Sequence, residues 1–375
     1  MRLLDRHLLK EMLLPFAFCL GGLLIFWSAA ELVSELPDLQ KAKLRGLEVA
    51  QYSLFQLPPK MVFLLPVSLM LGQLYALTQH TKHNEITAMR AAGISLWRIG
   101  VPYLGIGFAL SLALFAINEF VAPAAGAAAD ELLSRHAPGA DGARAKAVSS
   151  FCFSNDRARR MWNADLFYPD AGEMRQVWVT ETLPDNSRVV THAERAVATN
   201  GGWGFFKVDE GRRGPGAGAF LVGSLVTNYL FKASFSETPE EMRSYLKVSG
   251  VLSLSGRRLR QADVPIADLL DYLRLRQTLN QGEARWIYTK LHGRLAAPWT
   301  CLVVVLLALP FGAMTGRRNV FMGVAGSIFI FFAFFALSLT ALAMGAAGLL
   351  PPWLAGWLPN LVFTSLGVTL IYRVR

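Results

Sequence analysis

Five stretches of the chain run for about twenty residues or more without a charged side chain: 12–30, 61–79, 99–118, 295–316 and 319–372. An apolar run of that length is not solvated as a loop, and it matches the thickness of a bilayer's hydrocarbon core. The last run is long enough for two crossings, broken near Pro351–Pro352. The sequence therefore predicts a polytopic α-helical membrane protein. Three spans precede residue 124, three follow residue 290, and a large polar region is inserted between them.

Charge orients this layout. The net charge is +10, which in a soluble chain would point to nucleic acid. Here much of the excess falls in the short connections: Arg2, Arg6 and Lys10 before the first span, Lys82, Arg90 and Arg98 between the second and third, Arg317 and Arg318 between the fourth and fifth, and Arg373 and Arg375 at the end. Short Lys/Arg-rich loops stay cytoplasmic, so both termini are expected inside and region 124–290 outside. No nucleic-acid partner is implied.

The middle differs in kind. Val148–Phe153, Gln176–Thr182, Arg188–His192 and Gly204–Val208 are β-rich runs, and Asn200–Gly201–Gly202 is a hairpin signal. Short strands at this spacing suggest a sandwich or jelly roll. Proline and polar residues at 236–265 read as a linker. The expected domains are thus 1–123 (three spans), 124–290 (jelly roll with return linker) and 291–375 (three spans). Residues 38–57 read as an outer connection closed by Pro58–Pro59–Lys60, with the second span starting at Met61.

Catalytic and metal signals are weak. Cys19, Cys152 and Cys301 form no disulfide framework. His7, His80, His83, His136, His192 and His292 show no metal-ligand spacing, so no metal is expected. No Ser/His/Asp or paired-carboxylate arrangement appears. The stretch GRRGPGAG lacks the Lys-Ser/Thr ending of a phosphate-binding loop, so any nucleotide energy comes from another subunit.

Residues 80–98, HTKHNEITAMRAAGISLWR, lie between the second and third spans. Asn84 suits an N-cap, Glu85 the positive helix end, Gly93 a C′ stop, and Ser95 can cap the next helix. The predicted short helix, about 84–92, puts Glu85 and Met89 on one side. It reads either as a plug for a motor domain or as an interfacial linker held to anionic lipid by Lys82 and Arg90.

EITAMRAAGIS resembles the coupling segment of the lipopolysaccharide-export permeases, the LptF/LptG family. LLDRHLLKEMLLPF resembles that family's opening, NEFVAP the exit of its third helix, and ETPEEM the start of its return linker. KLHGRLAAPWTCLVVVLLALPFGA and LLPPWLAGWLPN resemble its fourth span and the approach to its sixth. The resemblance implies an inner-membrane half-transporter without an ATPase site or cofactor of its own. It implies a second LptF/LptG-type permease, a cytoplasmic ABC ATPase dimer that binds the ATP, a periplasmic bridge protein and lipopolysaccharide as substrate. It also makes Glu85 the matching coupling carboxylate, with Met89, Arg90 and Gly93 in the same motif. The LPPKMVFLLPV run leans towards the G-like member.

Substrate contacts follow from chemistry. Lipid A phosphates need cations at the outer boundary. Glu31 and Glu35 stand where the family resemblance implies a cation, which leaves Lys41, Lys43, Arg45 and Lys60 as candidates. Acyl chains need apolar walls, for which Phe26, Phe63 and Leu65 are candidates. Gly21–Gly22 and Gly323/Gly326 permit close helix approach and suit a seam with a partner permease. The competing readings are a mechanotransmission or sensor-type permease that moves no lipid, an ion-driven secondary transporter, and an assembly scaffold.

Overall fold

The computed structural model describes residues 3–41, 44–135, 148–199, 201–214, 221–252, 264–276, 279–312 and 320–373. The chain divides into two compact units, Met1–His136 with Ala284–Arg375, and Ala137–Glu283.

The first unit is helical. It contains α1 (Leu3–Lys41), α2 (Gly46–Lys82), α3 (Glu85–Ala91), α4 (Leu96–Ala116), a π turn (Ile117–Val121) and α5 (Ala122–Arg135). Among the described residues, six helices are long and apolar enough to cross a membrane, as the uncharged runs predict. One expectation is corrected here. The first connection does not occupy 38–57, because α2 already starts at Gly46 and runs through Pro58 and Pro59. Each proline removes an N–H that would meet the carbonyl four residues earlier, a loss that helices in membranes tolerate when neighbours restore the bonds. α1 is one continuous helix from Leu3 to Lys41.

α2 is the centre of this unit. Leu65, Leu69, Ala76 and Leu77 are buried with Leu8, Met12, Ile99, Tyr103, Cys301, Val305 and Leu309. Buried polar groups add direction to that packing. Gln73 Nε2 donates to the Val305 carbonyl at 3.2 Å, and Thr81 Oγ1 donates to the Gly312 carbonyl at 2.9 Å. In contrast, α1 turns Leu14, Phe18, Ile25, Phe26 and Val33 outwards.

At the π turn the widened ladder leaves a carbonyl to bond sideways. Arg294 Nη2 donates to the Asn118 carbonyl at 2.7 Å, with both residues buried.

Among the described residues, the second unit holds six strands: β1 (Val148–Asn155), β2 (Arg160–Tyr168), β3 (Glu173–Thr182), β4 (Arg188–Thr199), β5 (Gly202–Arg213) and β6 (Leu221–Lys232). They form one antiparallel sheet in sequence order, β1 through β6. The all-β insertion is as expected. Its described strands run as an open up-and-down meander, without the strand exchange of a Greek key. One face buries Phe151, Phe153, Trp162, Phe167, Met174, Val177, Trp203 and Phe205, and the opposite face exposes Trp178 and Phe206. Asn200 lies outside the described residues, but Gly201 has φ +108°, the left-handed region a tight β4–β5 turn needs.

The expected linker is partly helical: α6 covers Pro239–Leu252, and α7, Ile266–Leu275, follows the linker's end. Apolar residues at helical spacing explain this, since Met242, Tyr245 and Val248 on one face of α6 are buried. Tyr245 meets Phe153 of β1 at a 5.0 Å ring separation and Tyr272 of α7 at 5.1 Å. Glu237 fixes the approach to α6. Its carboxylate accepts from Arg160 Nη1 at 2.9 and 3.1 Å and from Asn155 Nδ2 at 3.0 Å, while Arg160 covers the Phe235 ring at 4.3 Å.

The chain returns to the helical unit through α8 (Gln281–Ala296), a 3₁₀ turn at Ala297–Trp299, α9 (Thr300–Gly312), α10 (Val320–Ala347) and α11 (Pro352–Arg373). The break expected near Pro351–Pro352 is present. Gly348, at φ +82°, ends α10's path, and Pro352 opens α11 at the one helical position where its missing N–H costs nothing.

Candidate functional site

The segment between α2 and α4 is held from below and open above. Ile86 of α3 is fully buried in the cluster of α1, α2, α4 and α9, and Met89 and Ile94 pack against it. Thr87, Ala88, Ala91 and Ala92 are exposed. Met89, grouped with Glu85 by spacing, therefore serves as an anchor of the short helix, and small residues form its outer face. The ends are defined as the sequence suggests at two of three positions. Gly93 has φ +83°, and Ser95 Oγ accepts from the Arg98 N–H at 3.3 Å. Asn84 behaves differently: at φ +60° it makes a left-handed turn, and its side chain does not cap the helix. Asparagine tolerates that conformation better than most residues.

Glu85 is engaged within its own chain. Its Oε2 lies 2.6 Å from Nδ1 of His80, whose side chain is fully buried. The same oxygen lies 3.5 Å from Nε2 of His7. The His80 hydrogen bond is the main influence that holds the Glu85 carboxyl below the usual carboxylate range, against the opposing effect of partial burial. Glu11 of α1 completes the group, 3.5 Å from His7 Nε2 and 3.6 Å from His80 Nδ1. Sequence reasoning missed this gathering. His7 and Glu11 share a helical face at four-residue spacing, but only the packing of α1 on α2 brings His80 to them. Next to the group, Arg98 binds Asp5 at 2.8 Å, joining the starts of α4 and α1.

The predicted substrate residues are scattered. Lys60 pairs with Glu31 at 2.9 Å, between α2 and α1. Arg45 precedes α2, and its N–H donates to Glu48 Oε2 at 2.7 Å. Lys41 is the last residue of α1, and Lys43 lies outside the described residues. Among the apolar candidates, Leu65 is buried in the core. Phe63 joins an aromatic group, with ring separations of 6.0 Å to Trp27, 5.7 Å to Phe331 and 5.0 Å to Phe335. Phe26 is 70% exposed on the outer side of α1.

A comparison with protein families matches residues 6–373 to the lipopolysaccharide export system permease LptF/LptG. That match spans nearly every residue, from the start of α1 to the end of α11. The chain belongs to the LptF/LptG permease family. A search of curated proteins finds no match to the chain. As an LptF/LptG permease it is a transmembrane subunit of the lipopolysaccharide export ABC system, placed in the inner membrane, and carries no ATPase domain. ATP is bound by a partner subunit of that system, and the permease family has no known cofactor of its own.

Proposed function

We propose that this LptF/LptG permease is the G-like half of a pair, with both termini in the cytoplasm and the β unit in the periplasm. A second LptF/LptG-type permease completes the lipid cavity, an ABC ATPase dimer docks against α3, and a periplasmic bridge protein receives the lipopolysaccharide. The short helix carries this reading: α3 is anchored by Ile86 and Met89, presents small side chains outwards, and holds a partly exposed carboxylate, Glu85, at its start. A small-residue face lets a partner approach closely, and Glu85 offers that partner's cations a fixed anion. Arg90 flanks the same face, and Gly93 ends the helix so that the chain can turn into α4.

At the outer boundary, Lys41, Lys43 and Arg45 are the proposed headgroup contacts. Lys60 contributes through its pair with Glu31. Phe26 is the apolar candidate best placed for acyl chains. Phe63 supports the same wall from within its aromatic group, and Leu65 acts through packing. The seam to the partner permease runs along α1, where a Cβ added at Gly21 or Gly22 would meet nothing within 4 Å. Among the described residues, β1 and β6 are the end strands of the sheet, and an end strand suits strand addition by a bridge protein.

Native purification from membranes with mass spectrometry of bound protein and lipid tests this assignment. Recovery of an ATPase, a second six-helix permease and a phosphorylated glycolipid is the expected result. An ATPase without lipid in the pair would overturn the extractor assignment for this chain.

A further inference from the structure

The group formed by His7, Glu11, His80 and Glu85 has a geometry that the coupling role does not require. Ligand atoms of His7, Glu11 and His80 all lie within 4.8 Å of one another. Individual separations are 3.5 Å for His7 Nε2 to Glu11, 3.6 Å for His80 Nδ1 to Glu11, and 3.5 Å for His7 Nε2 to Glu85. Four ligands at about 2.0–2.2 Å from a tetrahedral zinc ion stand about 3.3–3.6 Å apart. Three of the six edges thus already have about the length a metal would impose, the two to Glu11 through different oxygens of its carboxylate. The His80–Glu85 edge, at 2.6 Å, must open for Glu85 to join as the fourth ligand.

The chemistry agrees with the distances. Two imidazoles and two carboxylates suit a borderline cation such as zinc better than magnesium or calcium, which prefer oxygen alone. Two carboxylates also match the charge of a divalent ion. His80 supplies a rigid, fully buried floor, while the side chains of His7, Glu11 and Glu85 are 46%, 43% and 39% exposed and leave a path from solvent. The ligands come from three elements, α1, the end of α2 and the start of α3.

We propose that these four residues form a zinc-class divalent cation site at the coupling end of the permease, with His7 Nε2, Glu11 and His80 Nδ1 as three ligands and Glu85 as the fourth. Binding displaces any proton from His80 Nδ1 and pins the start of α3 to α1 and α2. Its effect on coupling rests on the role proposed for Glu85; the site itself does not.

The purified permease complex, stripped with chelator, is titrated with Zn²⁺ against a chromophoric competitor, and separately with Co²⁺ to read the coordination geometry from its visible spectrum. The comparison is with His7→Gln, Glu11→Gln and the double variant, whose altered side chains are half-exposed, so that folding is retained and checked by thermal unfolding. The expected result is one Zn²⁺ per chain, a tetrahedral Co²⁺ spectrum, at least tenfold weaker binding in each single variant, and loss of that equivalent in the double variant. Absence of stoichiometric binding, or binding that survives the double variant, overturns the site. Neither result bears on Glu85 as the coupling carboxylate, which is read by transport.

Discussion

Lys60 Nζ stands 2.9 Å from Glu31 Oε1, so a cation proposed for the lipid headgroup and an acid in the first span form one ion pair between α1 and α2. The acid is well shielded, with 17% of its side chain exposed, against 30% for the lysine. The pair resolves the oddity of an acid near the expected headgroup position: Glu31 serves a neighbouring helix.

Glu31→Gln releases Lys60 to a phosphate. Lipid co-purifying with the variant should increase by about fivefold, the roughly 1 kcal/mol of a partly solvated ion pair. Quantitative mass spectrometry of bound lipid checks this, and unchanged occupancy removes Lys60 from the headgroup contacts. Lys60→Met should instead lower stability by about 1–3 kcal/mol, because it strands a shielded carboxylate.

Glu85→Lys should leave the protein inserted and assembled but cut ATP-driven lipid release at least tenfold, since a cation opposite a basic partner surface costs several kcal/mol. Release from proteoliposomes containing the whole complex is the readout. Wild-type release would remove Glu85 from coupling.

Glu237→Ala should destabilise the β unit by about 1–3 kcal/mol, because Arg160 Nη1 loses both of its acceptors and Asn155 loses its own, while Glu181 keeps Arg160 Nε paired at 3.0 Å. Tryptophan fluorescence during denaturant unfolding reports this, since Trp162 and Trp203 lie 5.0 Å apart in the same core. A change under 1 kcal/mol would show that the approach to α6 is held by packing alone.

Gly72→Ala should cost about 1–3 kcal/mol, as its new Cβ would lie 2.7 Å from the backbone of Phe16 and force α1 away from α2. Gly21→Ala meets nothing within 4 Å and should leave the unfolding temperature of the single chain unchanged. Gly21→Leu should weaken pairing with the second permease, read by size-exclusion chromatography with light scattering.

Much of the fold is legible in local chemistry. Uncharged runs give six spans, because a bilayer acts on each segment by length and polarity alone. The short helix before Gly93 follows from turn preferences, and β-rich runs with Gly-Gly turns give an all-β insertion. Less legible were the boundaries where packing outweighed a local signal: α2 continues through Pro58–Pro59, and the expected 236–265 linker contains α6.

The sequence by itself determined the family, the spans and the carboxylate at the start of α3, since each depends on residues close together along the chain. Only the tertiary structure decided what those residues touch. His7 and His80 are distant in sequence and meet through helix packing, Glu31 finds Lys60 on the next helix, and Met89 turns inwards to anchor α3. Each of these depends on how one helix lies against another, which follows from the fit of many side chains at once and not from any local spacing.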